Sequence, residues 1–188
     1  CMTMYRDPIL WSGNQQLLGE EVKVYMNDST IDWAHIINQA LAIEQMDSVH
    51  YNQVSGQEMM AYFRGGEMRQ VDVNGSVLVI YYPIDEKDST KIGMDYTEGG
   101  FLRMHLKDRK LERGAFIGKA TGTMYPMDQI PPDKSRLPSF AWFDYVRPLS
   151  KEDIFNWRGK HADQVLKKTD RGPVVSPREM KIGRIEKK

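Results

Sequence analysis

The fold is decided by the stretch Val71-Asp72-Val73-Asn74-Gly75-Ser76-Val77-Leu78-Val79-Ile80-Tyr81-Tyr82. Its first three residues alternate between apolar and polar, as those of a half-buried β-strand do. Its last six residues are a β-branched and aromatic run, which is typical of strands. Between the two runs stands Asn74-Gly75, the strongest short signal for a β-hairpin. The stretch therefore predicts two antiparallel strands joined by a tight turn.

The same patterns recur on both sides of this stretch. Residues 22–26 and 102–106 alternate between apolar and polar side chains. Residues 33–46 contain some helical spacing, but their β-branched residues and their strand neighbours favour a strand. Turn-forming residues separate the runs at Ser12-Gly13-Asn14, Asn27-Asp28-Ser29, Gly65-Gly66, Asp85-Glu86-Lys87-Asp88 and Gly99-Gly100. Many short strands with frequent turns predict an all-β, antiparallel protein.

A repeat of about 37 residues runs through these strands. Gly19-Glu20-Glu21-Val22-Lys23-Val24-Tyr25 and Gly56-Gln57-Glu58-Met59-Met60-Ala61-Tyr62 share the pattern Gly-x-Glu-apolar-x-apolar-Tyr, and Gly93-Met94-Asp95-Tyr96 keeps a weaker copy. A unit of this length holds roughly four strands with their turns. The repeat predicts a folded sheet that grows by adding similar units, and chance similarity between ordinary strand and turn signals is the alternative.

The composition changes after residue 125 and divides the chain into three parts. Residues 1–125 form the predicted β-domain. Residues 126–159 are rich in proline and aromatic residues, and Ser150 with Asp153 resembles a helix N-cap, so we expect an irregular cap with a short helix over 151–158. Because prolines do not fit central strands, this cap is expected to stop strand pairing at the C-terminal end of the sheet.

Residues 160–188 form the third part, a basic tail. From residue 158 to the end, the chain has 10 Lys and Arg against 4 Asp and Glu, although its total net charge is zero. With few apolar residues to bury, this segment is predicted to be mobile. It is either a solvated terminus or a contact for an anionic surface.

Composition and motifs exclude several functions. The zero net charge disfavours nucleic-acid binding through bulk electrostatics, and no apolar run approaches the roughly 18–20 residues of a membrane span. The chain has no metalloprotease, serine-hydrolase or dinucleotide-binding motif. The single cysteine and the scattered histidines have no metal-ligand spacing. The sequence therefore predicts a protein that is not an enzyme, with no cofactor, metal or nucleic-acid partner.

Alternation places one apolar face on the predicted strands. Its members are Val22, Val24, Met26, Met59, Ala61, Phe63, Val71, Val73, Val77 and Val79. The chain also has 12 methionines, whose unbranched side chains adapt to irregular apolar partners. Two interpretations remain open: an ordinary core with methionines as gap-fillers, or an apolar trough that receives flexible acyl chains.

The phrases Leu18-Gly19-Glu20-Glu21-Val22-Lys23-Val24-Tyr25, Tyr51-Asn52-Gln53-Val54-Ser55-Gly56-Gln57-Glu58-Met59 and Val71-Asp72-Val73-Asn74-Gly75 resemble the OstA-like, or LptA-like, proteins of lipopolysaccharide transport. The segment from Ala120 to Pro126 is similar to the C-terminal part of larger OstA-like proteins of Gram-negative bacteria. The resemblance covers about residues 7–148. It implies a β-jellyroll, or folded antiparallel sheet, whose apolar interior carries lipid acyl chains across the periplasm. Such a protein would be periplasmic or associated with the outer membrane.

Strand edges are the expected contacts with other proteins. The family resemblance implies that such β-jellyroll units join edge to edge. Met2, Thr3, Met4 and Tyr5 form a short edge without proline or lysine, so they can template pairing with a further strand. The chain opens in the middle of a strand pattern, so we expect it to be a fragment of a longer protein. This edge would pair with upstream strands, with a neighbouring protein, or with a second copy aided by a Cys1–Cys1 disulfide.

Two other functions fit the same composition. A carbohydrate-binding or carbohydrate-active β-domain would use exposed aromatic rings such as Trp142 and Tyr145 as stacking platforms beside carboxylates. A purely structural interaction module would need neither a trough nor such platforms.

Overall fold

The computed structural model describes residues 1–85, 87–108, 110–150, 152–156, 158 and 166–174. Nine strands form one antiparallel sheet, which confirms the predicted all-β class. The strands are β1 (Met2–Tyr5), β2 (Ile9–Ser12), β3 (Gln15–Leu18), β4 (Glu21–Asn27), β5 (Thr30–Gln45), β6 (Tyr51–Arg64), β7 (Glu67–Tyr81), β8 (Gly93–Lys107) and β9 (Lys110–Pro126). The stretch 33–46 lies almost wholly in β5, so its prediction as a strand is confirmed.

The strand order is β1-β4-β5-β6-β7-β8-β9, with β3 also paired to β5 and β2 paired to β3. The short strands β1 and β2 therefore lie on one edge of the sheet, and β9 forms the opposite edge. Consecutive long strands pair with each other, which is the meander that the turn spacing predicts.

A line of irregularities crosses the middle of the long strands. The register shifts after Ile37 in β5, after Ser55 in β6, after Asn74 in β7 and after Gly99 in β8. Backbone φ angles are positive at Asn38, Gln39, Gly75, Ser76 and Gly118, all on this line. Extra residues in a strand bend it and increase its twist. We call this line the crease.

The crease divides the sheet into two arms. Arm A contains β1, β4 and residues 30–37, 58–64, 67–74, 101–107 and 110–117. Arm B contains β2, β3 and residues 40–45, 51–56, 77–81, 93–99 and 120–126. Each of β5 to β9 passes from one arm to the other.

Two predicted turns lie on the crease and are not turns. Asn74-Gly75 stands inside β7 and Gly99-Gly100 stands inside β8, so both strands continue through them. The hairpin predicted at Asn74-Gly75 and the turn predicted at Gly99-Gly100 are therefore wrong. Glycine supplies a positive φ as readily to a bulge within a strand as to a turn. The signals at Gly13, Asp28 and Gly65-Gly66 do mark turns between strands.

The first two copies of the repeat are structurally equivalent. Gly19 and Gly56 both stand at the crease, and three residues later Val22 and Met59 lie in one cross-strand row. Leu102 continues this row through Val73, so the position equivalent to Gly19 and Gly56 in β8 is Gly99 and not Gly93. The loop between β7 and β8 lengthens the spacing to the third copy.

One apolar cluster joins the two arms. Val22, Ile36 and Val73 of arm A are fully buried in it, and Leu17 and Val54 of arm B pack against it. Among the described residues no other element covers this face of arm A. The sheet is therefore folded at the crease so that the inner faces of the two arms pack together, as the predicted folded sheet requires.

The second cluster lies on the outer face of arm B. There Leu41, Ile80 and Tyr82 are covered by Leu137 and Phe143 of the proline-rich cap. Short 3-10 turns at Met127–Gln129, Pro132–Lys134, Asp144–Val146 and Glu152–Phe155 shape this segment. The last of them is all that the described residues show of the helix predicted over 151–158. Asp153 N–H donates to Ser150 Oγ at 3.3 Å there, in agreement with the predicted N-cap.

The cap covers a face of the sheet and not its C-terminal edge. Among the described residues β9 pairs with β8 alone, and most of its own residues are exposed. The expectation that the proline-rich segment stops pairing at this edge is wrong, because Pro126 ends β9 and the chain then crosses the outer face of arm B.

Part of the predicted mobile tail packs on the sheet. Leu166 is buried in the second cluster. Thr169 N–H donates to Gln39 Oε1 at 3.0 Å, and Gly172 N–H donates to Ser76 Oγ at 2.8 Å. Residues 166–174 therefore depart from the expected mobility, because their polar backbone finds acceptors at the crease. The rest of the tail, residues 160–165 and 175–188, lies outside the described residues.

Replacement of Gly56 by alanine tests the close packing at the crease. A Cβ atom there would lie 2.5 Å from Val73 Cγ1 and 3.0 Å from the Asn74 carbonyl oxygen. We expect Gly56→Ala to lower the free energy of unfolding by about 1–3 kcal/mol in urea titrations. In the control Gly114→Ala, the nearest atom is Met104 Cγ at 3.9 Å, and the change should stay within about 0.5 kcal/mol. Equal effects of the two substitutions would contradict this packing.

Candidate functional site

The inner face of arm A is built from cross-strand rows of apolar side chains. Strand pairing sets the first row beside the crease, and alternation sets the second row two residues further from it. The first row is Met4, Val22, Ile36, Met59, Val73, Leu102 and Phe116. The second row is Met2, Val24, Ala34, Ala61, Val71 and Met104.

A third row ends arm A, next to the turns. It is formed by the pairs Met26–Ile31, Phe63–Met68 and Leu106–Leu111. We call these six residues the apolar rim. Phe63, Met68 and Leu106 are partly buried against the inner cluster. Met26 is 57% exposed and Leu111 is 43% exposed, whereas Val22 and Val73 are fully buried. The inner face is therefore closed at the crease and open at the rim.

The structure places nine of the ten predicted face residues in or against the inner cluster. Val22, Val24, Met59, Ala61, Val71, Val73 and Val77 are buried in it, and Phe63 and Val79 pack at its border. Met26 shares their face by alternation but lies outside the cluster and is 57% exposed. It lies beside the turn at Asp28, beyond the part of arm A that is covered.

Arm B presents a shorter apolar surface to the inside. Leu10, Leu17, Ala42, Val54 and Val79 form its inner row and pack against the cluster.

The next row toward the end of arm B is polar. Asn52 Nδ2 there donates to Glu44 Oε2 at 3.0 Å, and Thr97 Oγ1 donates to Asp95 Oδ1 at 2.9 Å. At the open end, the apolar part of the inner surface is therefore formed by arm A.

Cationic side chains surround one side of the apolar rim. Arg64, Arg69, Lys107 and Arg113 are exposed around a shallow groove of about 1070 Å³, which Phe63 and Leu106 of the rim also line. Arg69 forms an ion pair with Glu67, and Glu112 is the one acidic residue that lines the groove. The groove thus combines a net positive charge with apolar side chains.

The outer face of arm A is polar and aromatic. Arg103 donates from Nε and Nη2 to the two Asp72 oxygens at 2.8 and 2.7 Å, and this contact raises the pKa of Arg103. His35 Nε2 lies 2.8 Å from Glu58 Oε2. The rings of Tyr25 and Trp33 stack with centroids 3.6 Å apart.

Tyr62 continues this aromatic row on the next strand. It is 37% exposed, and partial burial raises the pKa of its phenol.

The aromatic residues expected to be sugar platforms lie elsewhere. Trp142 packs edge-on against Trp11 and Tyr51, with ring centroids 5.0 and 5.4 Å apart, in the cluster beneath the cap. Tyr145 packs against the same cluster. The expectation that these two rings are exposed is therefore wrong, since they complete the cover of arm B.

Metal centres and membrane-spanning helices are absent from the described residues. No group of three or more His, Cys, Asp or Glu side chains there is arranged to hold a metal ion. No helix in this part of the chain has the length and apolarity to span a membrane. Met2, Thr3, Met4 and Tyr5 form β1 at the sheet edge, paired only with β4.

Sequence reasoning missed half of the inner face. Ile36, Ala34, Phe116 and the rim pair Leu106–Leu111 were not assigned to it, although all of them lie in arm A with the residues that were. Alternation within residues 34–36 and 102–106 was the available signal.

Comparisons with protein-family models, with curated proteins and with solved structures find no match for this chain.

Replacement of Val73 by threonine tests whether the inner face is dry. Threonine has nearly the shape of valine but brings a hydroxyl group to a fully buried position. We expect the free energy of unfolding to fall by about 1–3 kcal/mol, since the hydroxyl loses its hydrogen bonds to water. Val49→Thr is the control, because Val49 is 59% exposed and should change stability by less than about 0.5 kcal/mol. A neutral Val73→Thr would indicate a hydrated interior.

Proposed function

We propose that this chain is a non-catalytic lipid-binding or scaffold module of lipopolysaccharide transport and outer-membrane assembly, acting in the periplasm. The observation that carries the proposal is the inner face of arm A. Its apolar rows run without interruption from the buried crease to the exposed rim at Met26 and Leu111. An acyl chain that enters between the arms at the rim would extend this apolar core.

The chemistry of the rim suits a flexible hydrocarbon ligand. Burying methylene groups stabilises a complex by roughly 0.8 kcal/mol each, before the ordering of the chain is subtracted. Met26 and Met68 have unbranched side chains that adapt to such a partner. The same residues could close over each other when no lipid is bound, which is the behaviour that a transport module needs.

The charges beside the rim favour a lipid with an anionic headgroup. Arg64, Lys107 and Arg113 line one groove with Phe63 and Leu106 but alternate onto the outer face, so a headgroup would reach them around the ends of the strands. Arginine binds phosphate and carboxylate groups through paired hydrogen bonds. Lipopolysaccharide is an acylated lipid with an anionic headgroup.

The two sheet edges support the second half of the proposal, which is assembly with similar proteins. β1 offers four residues and β9 offers 17 for pairing with another strand. Unpaired backbone groups on such edges bind an extended strand of a partner chain. β9 is the longer of the two, and the sheet could therefore be extended at both ends.

Neighbouring residues on opposite faces allow a direct test of lipid binding. A photo-crosslinking amino acid at Phe63 would face the inside, while one at Tyr62 would face the outside of the same strand. We expect the Phe63 variant to be crosslinked to the acyl chains of lipopolysaccharide, and the Tyr62 variant, which lines the groove proposed for the headgroup, to be crosslinked to no acyl chain. Mass spectrometry of the purified protein and its crosslinked products measures both.

The outcomes separate the competing assignments. Lipid captured at Tyr62 but not at Phe63 would show that the inner and outer faces are assigned the wrong way round. No bound lipid in either variant would contradict the proposal. Glycan binding that depends on Trp33, without bound lipid, would favour the alternative of a carbohydrate-binding domain. The exposed row of Tyr25, Trp33 and Tyr62 is the feature that supports this second candidate.

A further inference from the structure

A cleft on the outer side of the crease contains an arginine without an acidic partner. The cleft has a volume of about 480 Å³ and lies between the strands of arm B, the cap and the tail segment 166–174. Ser76, Gly99 and Gly100 line it from the strands, Ser139 from the cap and Arg171 from the tail. It is far along the strands from the apolar rim and independent of the proposed lipid site.

The tail segment 166–174 contacts the bulges at Gln39 and Ser76, and these contacts fix the position of Arg171. Thr169 exchanges hydrogen bonds with the Gln39 side chain, at 3.0 Å through its N–H and 2.8 Å through its carbonyl oxygen. On the other side of Arg171, Gly172 N–H donates to Ser76 Oγ at 2.8 Å. The arginine is thus held between two anchored residues, and its position does not depend on its own side chain.

The contacts of the Arg171 guanidinium are long and uncharged. Its nitrogens lie 3.4 Å from Gln39 Oε1, 3.5 Å from Ser55 Oγ, 3.3 Å from the Ser76 carbonyl oxygen and 3.4 Å from Ser139 Oγ.

Arg103, by contrast, approaches its carboxylate partner to 2.7–2.8 Å. Within the described residues, no carboxylate neutralises Arg171. Burial lowers the pKa of its guanidinium, since the charge has lost part of its solvent.

The surroundings leave room and donors for a ligand. A Cβ atom added at Gly100 would meet nothing within 4 Å, so the backbone there is open to the cleft. Ser55 and Ser139, whose hydroxyls can donate, are buried beside the guanidinium. The remaining charged residues, Lys119, Glu98 and Asp170, carry a net charge of −1 and are exposed at the cleft margin, where solvent screens them.

We propose that this cleft binds a small molecule through an oxyanion group, phosphate or carboxylate, which pairs with Arg171. Such a group would accept the short, charge-assisted hydrogen bonds that the guanidinium lacks. The serine hydroxyls and Lys119 would bind the rest of the ligand. The bound anion would also tie the tail segment to the crease.

The test uses the full chain and two probes, inorganic phosphate and acetate, with sodium chloride at constant ionic strength. We expect saturable binding in calorimetry for at least one probe and a shift of the Arg171 Nε–Hε resonance in NMR spectra. Arg171→Gln should weaken binding at least about tenfold. Arg6→Gln, at an exposed arginine in the bend between β1 and β2, should leave binding unchanged.

Each outcome decides the proposal. Binding of phosphate alone assigns phosphorylated ligands, and binding of acetate alone assigns carboxylates. No saturable binding, or equal effects of Arg171→Gln and Arg6→Gln, would overturn it. Should Arg171→Gln not fold, the wild-type resonance still decides, because an Nε–Hε signal that stays unchanged under both probes contradicts a site at Arg171.

Discussion

The rest of the structure depends on one constraint, which is that a single antiparallel sheet must bury an apolar face. A flat sheet with nothing on that side would expose the rows through Val22 and Val73 to water. The crease removes this problem, since the bulges at Gln39, Gly75 and Gly118 and the register shifts in β6 and β8 form one line across the long strands, along which the sheet bends. One sheet then supplies both walls of its own core.

The folded sheet leaves the outer face of arm B to be covered, and the cap does this with few elements of regular structure. Two buried glutamines make the contact specific. Gln16 accepts from Phe143 N–H at 2.8 Å and donates to the Ala141 carbonyl oxygen at 2.7 Å. Gln53 accepts from Leu137 N–H at 2.8 Å and donates to the Ser135 carbonyl oxygen at 3.1 Å. An irregular segment can be buried here because side-chain amides of the sheet replace the missing backbone pairing.

Much of the fold could be predicted from local patterns. Alternation identified strands and their inner residues, as at Val22 and Val73, because side-chain period and burial are local properties of a strand. The crease could not be predicted, because Asn74-Gly75 has the same sequence signature in a hairpin as in a bulge. Asn38 and Gln39 carry no glycine signal at all, and their positive φ angles are imposed by the packing of neighbouring strands.

The candidate site was predicted in part: Met26 and Phe63 of the rim were assigned to the inner face, whereas the buried Ile36 and the rim pair Leu106–Leu111 were not. The rim joins residues from three hairpins, and no local pattern shows that Met26, Phe63 and Leu106 end at the same side of the molecule. The tail was misjudged for a related reason. Its composition is typical of mobile segments, but its contacts with Gln39 and Ser76 use backbone groups that composition does not describe.

Methionine-methyl NMR tests most directly whether the inner face receives an acyl chain. Met59 and Met60 are adjacent in β6 but lie on opposite faces, and Met68 lies at the rim. The account predicts that dodecanoic acid shifts the methyl resonances of Met59 and Met68 in a saturable way and leaves that of Met60 unchanged. A shift at Met60 without one at Met59 and Met68, or no saturable shift at any of the three, would contradict it.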